Sequence, residues 1–444
     1  MSLSRRTFVA AGMGALIARP VEAMGRKPIG GRLRLRWPYA TDAIDPHDLF
    51  DPLAACLGTA IFNTVYARDS RGRVYSALAA GLPRQESGET TIRLRGGLRS
   101  ASGRRIDARD LLTSFKRAKG RTAGVFLAML PSLRMRIDPS DALRLRCGRV
   151  DPATLAELLC SPLFPLLPGT YDPRRPDGTG GFKATLLADR VTLDRNGFAA
   201  RGSSFLDGAT IRSASDLTSS MRAFEMERDD LGWLGLGLHR DRAKARPFDF
   251  GDVGWMVLTT GDRARPLAPP GVAQQLANAV NVEALHLGLR PREGLQRGMP
   301  WLGEPTSLYY EKGSAHLRVV AERVAAQLSS RGHEIRAASI GSARWRRLRQ
   351  NRDYSLAVQF VRDPRLGPWA VRAALAAVDR RRLAEEIVSR KTRRAPARPA
   401  HLLTANLRVG VLGALSVRGG IAAGWHMPAQ VHGGGIDWSN IHRL

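Results

Sequence analysis

The alternation of apolar and polar residues is clearest between residues 92 and 117, where it predicts a strand, a turn and a helix. Ile92 and Leu94 alternate with arginines, which is the two-residue period of a half-buried strand. Gly96 begins a turn, because glycine adopts positive φ without steric cost. Asp107 then precedes a run of apolar residues with helical spacing, so we expect it to cap that helix.

The same two periods predict further elements along the chain. Strict alternation predicts a strand at residues 32–36, and short apolar runs predict strands at residues 335–337 and 354–358. Apolar residues three and four positions apart predict a helix over residues 317–332, and residues 53–66 and 371–383 are also expected to be helical. The glycine-rich segment 410–435 fits neither period.

The composition is that of a globular protein with a large excess of arginine. The 444 residues allow two or three domains, and 43% of them are hydrophobic. The formal charge of +29 arises from 69 basic and 40 acidic residues. This charge could serve binding to an anionic polymer or membrane surface, but arginine is spread over nearly every segment, as on a solvated surface. We therefore expect no nucleic-acid partner.

The first 23 residues have the three parts of an export signal. Arg5 and Arg6 resemble the twin-arginine motif, residues 8–18 form a short apolar core, and a small-residue cleavage site ends at Ala23. The apolar core is too short to span a bilayer comfortably, and no cysteine follows it as a lipid anchor. The sequence therefore predicts an exported, periplasmic protein.

No pattern of catalytic or metal-binding residues is evident. The three cysteines, Cys56, Cys147 and Cys160, match no metal-ligand or disulfide framework, although Cys147 and Cys160 could pair in an oxidising compartment. The G-x-S-x-G motif of α/β-hydrolases is absent from the sequence. We expect no cofactor, no metal and no enzymatic activity, while an exported hydrolase with an unrecognised site remains an alternative.

Several segments resemble one family of binding proteins. Residues 68–79, RDSRGRVYSALA, resemble the motif R-D-x-x-G-x-V-x-P-x-L-A of the family 5 solute-binding proteins, the oligopeptide and dipeptide receptors of ABC importers. Residues 94–103 are similar to the strand and turn that follow in that family, and residues 108–111 to the start of its next helix. The sequence departs from the family at Ser76, where proline is usual, and at Ser100, where an aromatic residue is usual.

Weaker similarities continue in the same order, from about residue 30 to residue 442. The resemblance implies an α/β fold with two lobes, as in periplasmic binding proteins, and an extra subdomain in the first lobe. The implied first lobe comprises residues 24–45, 170–255 and 415–444, with residues 46–169 as its inserted subdomain. Residues 256–414 would form the second lobe.

The resemblance also indicates candidate ligand-binding residues. Asp363 stands where peptide receptors of the family have the aspartate that pairs with the peptide ammonium group, and Phe360 stands at the family's tryptophan position. An Asp-Pro turn on the surface is the alternative for Asp363. Further candidates to line the ligand cleft lie near the first crossover, on a crossover strand and on a helix of the second lobe: Tyr39, Thr41, Trp255 and Trp345.

The expected function follows from the family. A monomeric receptor would close its two lobes on a small solute, most simply a peptide, and deliver it to an ABC permease in the inner membrane. A basic periplasmic binder of anionic polymers is the alternative that the charge suggests.

Overall fold

The computed structural model describes residues 29–148, 150–214, 217–232, 242, 244–265, 267–285, 289–291, 298–389, 403–428 and 436–444. The predicted export signal and the second part of the glycine-rich segment lie outside the described residues.

Helices and strands alternate through the described chain. The helices are α1 (Pro52–Ile61), α2 (Ala108–Lys119), α3 (Pro152–Leu158), α4 (Leu217–Glu225), α5 (Val272–Ala279), α6 (Ala315–Leu328), α7 (Ser342–Asn351), α8 (Pro368–Asp379) and α9 (Arg381–Ser389). Short 3-10 helices are Thr122–Met129, Asp262–Ala264, Glu283–Leu285 and Trp438–Asn440. The first strands are β1 (Arg32–Trp37), β2 (Tyr66–Arg68), β3 (Val74–Ser76), β4 (Arg84–Glu86), β5 (Glu89–Arg93), β6 (Arg134–Ile137), β7 (Ala142–Arg146), β8 (Phe182–Leu186), β9 (Arg190–Arg195) and β10 (Gly208–Ser213). The remaining strands are β11 (Leu231–Gly232), β12 (Arg246–Thr260), β13 (Leu289–Arg290), β14 (Thr306–Glu311), β15 (Ile335–Ile340), β16 (Leu356–Arg362), β17 (Val409–Ile421), β18 (Trp425–His426) and β19 (His442–Arg443).

One large sheet runs through both lobes in the order β15-β14-β16-β12-β17-β11-β1-β10-β9-β8. We call the half of this sheet from β11 to β8 the first lobe, and the half with β15, β14 and β16 the second. The long antiparallel strands β12 and β17 connect the two halves, and their pairing shifts register on both sides of Asp252. The expected α/β fold with two lobes is therefore confirmed.

A separate sheet, with strand order β4-β5-β7-β6, lies within the residues 46–169 that the sequence predicts as an inserted subdomain. Helix α2 packs on it and buries Leu111 and Phe115. The helix begins with a complete capping box, in which the Asp107 carboxylate accepts from the first turn and the Asp110 carboxylate accepts from the Asp107 N–H. The predicted strand, turn and helix around residues 92–117 are confirmed.

The glycine-rich segment 410–435, for which the sequence predicts no helix or strand, contains most of strand β17. Its glycines allow neighbouring backbone to approach: a Cβ at Gly410 would lie 2.1 Å from the Ala273 carbonyl oxygen of α5. A Cβ at Gly413 would lie 2.7 Å from the Arg290 carbonyl oxygen. The glycines therefore reflect the close packing of α5 and β13 against this strand.

Three predicted helices differ in extent from the prediction. The helix expected over residues 317–332 ends at Leu328. The apolar run 53–66 is helical only to Ile61, after which the chain turns into β2. The segment 371–383 divides into α8 and α9, because Arg380 adopts an extended conformation between them. The cysteines are all free, so Cys147 and Cys160 are not paired.

Candidate functional site

The carboxyl ends of parallel strands from the two lobes face a common region. In the first lobe β1 and β10 run parallel and end at Trp37 and Ser213. In the second lobe β14 runs parallel to both β15 and β16, and ends at Glu311. Ligands of open α/β sheets bind beyond the carboxyl ends of the strands. We call this the interlobe region: the strand ends, the loop 38–51 after β1, and the residues packed against them.

Tyr39 lies in the interlobe region and joins the lobes. Its hydroxyl is 2.5 Å from Nδ1 of His316, in the first turn of α6, and both side chains are buried. The backbone N–H of His316 also donates to the carbonyl oxygen of Pro38. Burial raises the pKa of Tyr39 well above its usual value, so the hydroxyl is protonated at neutral pH.

Thr41 lies two residues further along the same loop. It is buried, and its hydroxyl is 3.2 Å from that of Ser213 at the end of β10. Its side chain therefore ties the loop after β1 to the neighbouring strand of the same lobe. The structure thus brings Tyr39 and Thr41, two of the predicted residues, to the same strand ends.

Asp363 directly follows β16 and is half-buried. Its N–H donates to the carbonyl oxygen of Val253, and its Oδ1 accepts from the N–H of Arg365 at 2.8 Å. Burial raises the pKa of its carboxyl group, while the positive charge of Arg365 opposes that rise. The residue is therefore not an exposed surface turn; its carboxylate is held in a desolvated place beside a cation.

Two arginines flank Asp363, and the sequence interpretation did not single them out. Arg362 is 3% exposed, and its Nη1 donates to the carbonyl oxygen of Pro46 at 3.2 Å. Burial, together with the charge of Arg365, lowers its pKa to about 10. Burial also lowers the pKa of Arg365, whose backbone has φ of +54°. A left-handed conformation at a residue other than glycine is uncommon and is often found at functional sites.

The start of α1 lies on the other side of Arg362. Asp51 caps this helix, and its two oxygens accept from the N–H groups of Ala54 at 2.8 Å and Asp45 at 2.7 Å. Burial raises the pKa of Asp51 to about 7. Further along the helix, a Cβ at Gly58 would lie 3.7 Å from a guanidinium nitrogen of Arg362.

A second contact joins the lobes at Phe50. The guanidinium carbon of Arg349 on α7 lies 3.9 Å from the centre of the Phe50 ring, a cation–π contact. Burial lowers the pKa of Arg349 and raises that of Glu311, at the end of β14. Charged and aromatic side chains from both lobes therefore meet here.

Two of the other predicted aromatic residues, Phe360 and Trp345, lie in hydrophobic cores. Phe360 is 2% exposed and belongs to the main hydrophobic core, where its ring covers Gly254. Trp345 is buried against Tyr354, with ring centroids 5.2 Å apart. Trp255 on β12 is half-buried and packs against a second hydrophobic cluster, which combines residues of the predicted insertion with residues of α8, α9 and β17. The structure does not bring Phe360 or Trp345 together with Asp363 and Tyr39 as site residues.

Within the described ranges, no group of three or more histidine, cysteine, aspartate or glutamate side chains is arranged to hold a metal ion. Among the helices that the structure describes, none has the length and apolar character needed to cross a membrane.

Comparisons with known proteins identify relatives by structure and not by sequence. No protein-family model and no curated protein matches the sequence. The oligopeptide-binding protein AppA from Bacillus subtilis, in complex with a nonapeptide, superposes with a TM-score of 0.70 at 12% identity, covering 94% of this chain and all of that one. DppA from Helicobacter pylori, in complex with the peptide STSA, gives 0.67 at 12% identity, covering 94% of this chain and 98% of its own.

NikA from Staphylococcus aureus, in complex with Ni(L-His)2, gives a TM-score of 0.64 at 12% identity, covering 94% of this chain and all of its own. The likeness extends over almost the whole chain in each case, so it concerns the complete two-lobed architecture. The chain has the fold of the oligopeptide- and dipeptide-binding proteins of ABC importers, as its sequence motifs led us to expect.

Proposed function

We propose that the protein is an exported solute-binding receptor of an ABC importer, which holds a peptide or a similar small solute between its lobes. The single observation that carries the proposal is the meeting of the carboxyl ends of parallel strands from two lobes that β12 and β17 connect. Residues 24–45, 170–255 and 415–444 would move as the first lobe together with the insertion 46–169, and residues 256–414 as the second lobe.

Closure of the two lobes on the solute would be the conformational change by which the receptor holds it. A ligand shifts an equilibrium between open and closed states only if it binds one of them more tightly. The Tyr39–His316 hydrogen bond and the Arg349–Phe50 contact join the lobes in this structure. They are contacts that would break when the lobes separate, so they would favour the closed state together with the solute.

The structural relatives support a small solute, because AppA and DppA hold peptides and NikA holds a nickel complex. Tyr39, Thr41, Asp363 and the half-buried Trp255 are the predicted residues that we place nearest the solute. After export to the periplasm, the receptor would act as a monomer and deliver its solute to a permease.

Thermal unfolding in the presence of short peptides tests the proposal. A solute that binds only the folded protein raises its melting temperature by mass action, equivalent to about 2.7 kcal/mol at one hundred times Kd. A mixture of random tripeptides with free termini should therefore raise Tm. The absence of any shift, for these peptides and for other small solutes, would contradict a receptor function.

The Asp363→Asn variant tests the ammonium contact that the resemblance implies. The substitution keeps the shape of the side chain and its ability to accept from the N–H of Arg365. Unchanged affinity for solutes with a free amino group would remove this contact from the site. Asp141→Asn, in the exposed turn before β7, is the control for a general effect of removing one carboxylate.

A further inference from the structure

One face of the sheet in the first lobe is turned towards solvent. In β1, Leu33 and Leu35 are buried, while Arg32 and Arg34, which alternate with them, are exposed. The strands β8, β9 and β10 beside it also bury one side and leave the other at least half-exposed. The side turned away from the core carries charged and hydroxyl side chains and one glycine. This polar surface of four strands has no role in the receptor function proposed above.

Three threonines form a row across this face, at right angles to the strands. Thr185 of β8 lies opposite Thr192 of β9, and Thr192 lies opposite Thr210 of β10. Side chains that lie directly opposite each other on neighbouring strands have Cβ atoms about 5 Å apart. Among the described residues, none of the three hydroxyl groups has a hydrogen-bond partner. The threonine row therefore offers three hydroxyl groups to a ligand, at the spacing of the strands.

An arginine row crosses the same face, two residues further along β1 and β10. Arg36 of β1 lies opposite Arg212 of β10, and Arg212 lies opposite Arg190 of β9. Like charges directly opposite each other destabilise a sheet. Arg36 is compensated by Asp229 at 3.1 Å. Arg190 is compensated by its exposed neighbour Asp189 at 3.0 Å. The exposed Arg212 stands between these two arginines and has no carboxylate within 4.0 Å among the described residues.

On the other side of the threonine row the face is flat and again carries cations. The side chain of Arg32 lies across Gly208 of β10 and forms an ion pair with Asp194 of β9 at 2.5 Å. A Cβ at Gly208 would lie 2.9 Å from Nη1 of Arg32, so glycine leaves room for this arrangement. Lys183 of β8 lies opposite Asp194 and forms no ion pair within the described part of the chain. A ligand on the threonine row therefore has cations on both sides.

These rows fit a polymer that carries both carboxylate and hydroxyl groups. A guanidinium group binds a carboxylate with two parallel hydrogen bonds. The hydroxyl group of threonine donates and accepts, and so does that of a sugar. None of the four strands, which are all fully described, turns an aromatic side chain to this face. The face therefore lacks the aromatic platform on which the bases of single-stranded nucleic acids stack.

We propose that this face of the first lobe binds an acidic polysaccharide, a polymer of sugars that carry carboxylate groups. The sugar units follow one another across the strands, with hydroxyl groups on the threonine row and a carboxylate at Arg212. The four strands span about 14 Å, which is three spacings of about 4.8 Å, so a short oligosaccharide covers the site. The inference goes beyond the receptor function and does not depend on it. It assigns to one surface the binding of anionic polymers that the charge of the sequence suggests.

Titration calorimetry with oligogalacturonates tests the proposal at pH 7.5 and low salt. Acidic chains of two, four and six units are compared with neutral cello-oligosaccharides of the same lengths. We expect the acidic tetramer and hexamer to bind, and the neutral chains not to bind. The acidic dimer should bind roughly 10-fold more weakly than the tetramer, because it reaches only part of the threonine row. Absence of binding by the acidic tetramer and hexamer, or equal affinity of the dimer and the hexamer, would overturn the inference.

Two variants locate the site on this face. Thr192→Val removes the central hydroxyl group and keeps the shape and strand preference of the side chain. It should weaken binding of the acidic tetramer by roughly 3- to 10-fold, and Arg212→Gln should weaken it by roughly 10-fold or more. Both side chains point away from the core, so the Tm of the unliganded protein should not change. The matched controls, Thr306→Val on β14 and Arg346→Gln on α7, should keep the affinity of the wild type.

Polyphosphate and vesicles of phosphatidylglycerol separate a polysaccharide site from a general attraction of anions to a basic protein. General attraction predicts that Arg212→Gln and Arg346→Gln weaken the binding of all three anionic probes equally, and that Thr192→Val has no effect. That result would overturn the inference. Loss of affinity for oligogalacturonate in Thr192→Val and Arg212→Gln, with none in the two controls, would uphold it. Neither outcome bears on the receptor function, because the probes contain no peptide.

Discussion

Acid should destabilise this protein through His47, a fully buried histidine in the loop between β1 and α1. Its Nδ1 lies 2.7 Å from the carbonyl oxygen of Leu163, and because a carbonyl only accepts, Nδ1 carries the proton. Its Nε2 is buried without a hydrogen-bond partner among the described residues. Burial lowers the pKa of His47 to about 3, and the nearby cations, Arg117 first among them, contribute to this shift.

The sign of the effect follows from the two pKa values. In the unfolded chain the pKa of His47 is near the ordinary 6.5. Below that pH the unfolded state therefore binds a proton that the folded state does not bind. The contribution to stability is therefore complete above pH 6.5 and is lost as the pH falls towards 3. Between pH 7.5 and pH 4.5 the expected loss is about 2.7 kcal/mol, at 1.36 kcal/mol for each pH unit below 6.5.

Thermal unfolding of the wild type and His47→Gln at pH 7.5 and pH 4.5 measures this contribution. Glutamine cannot take up the proton, and the carboxylate contributions common to both proteins cancel in the comparison. The acid-induced fall in Tm should be smaller in the variant by roughly 3 °C, if the chain unfolds as one unit with the usual entropy per residue. His333→Gln is the control, because His333 is only half-buried and makes the same type of hydrogen bond, to Gly303. Equal falls in Tm for the wild type and His47→Gln would refute the reasoning.

Two further predictions concern closure and packing. Arg349→Ala removes the cation–π contact with Phe50, which contributes about 0.5–2 kcal/mol, so the affinity for solute should fall several-fold. The control Arg346→Ala should leave the affinity unchanged, and titration calorimetry measures both variants. Gly410→Ala places a Cβ 2.1 Å from a backbone carbonyl oxygen of α5 and should lower Tm by several degrees, whereas Gly341→Ala meets nothing within 4 Å and should not. Equal Tm values for the two glycine variants would contradict the described packing of β17.

Local chemistry made part of the fold predictable. The alternation in β1 and the carboxylates of Asp107 and Asp110 are signals contained within a few residues, and the structure realises them as a strand and a capping box. The order of the family motifs also pointed to two lobes, because each motif corresponds to a strand or turn of the known architecture. The buried strand expected at residues 354–358 corresponds to β16, which extends further and ends directly before Asp363.

Other features depend on partners that are distant in sequence. The glycines of β17 are explained by the approach of α5, more than 130 residues earlier, which no local pattern contains. The burial of Arg362 depends on the loop before α1, whose Pro46 is 316 residues away. Phe360 and Trp345 looked like site aromatics, but side chains in a strand or helix reach the core or a ligand according to tertiary packing.

The most direct test of the account is small-angle X-ray scattering of the protein at pH 7.5, alone and with saturating random tripeptides that have free termini. If two lobes close on a solute, the radius of gyration should fall when the peptides are added, in parallel with the rise in Tm. A rise in Tm with an unchanged radius of gyration would contradict closure as the working step.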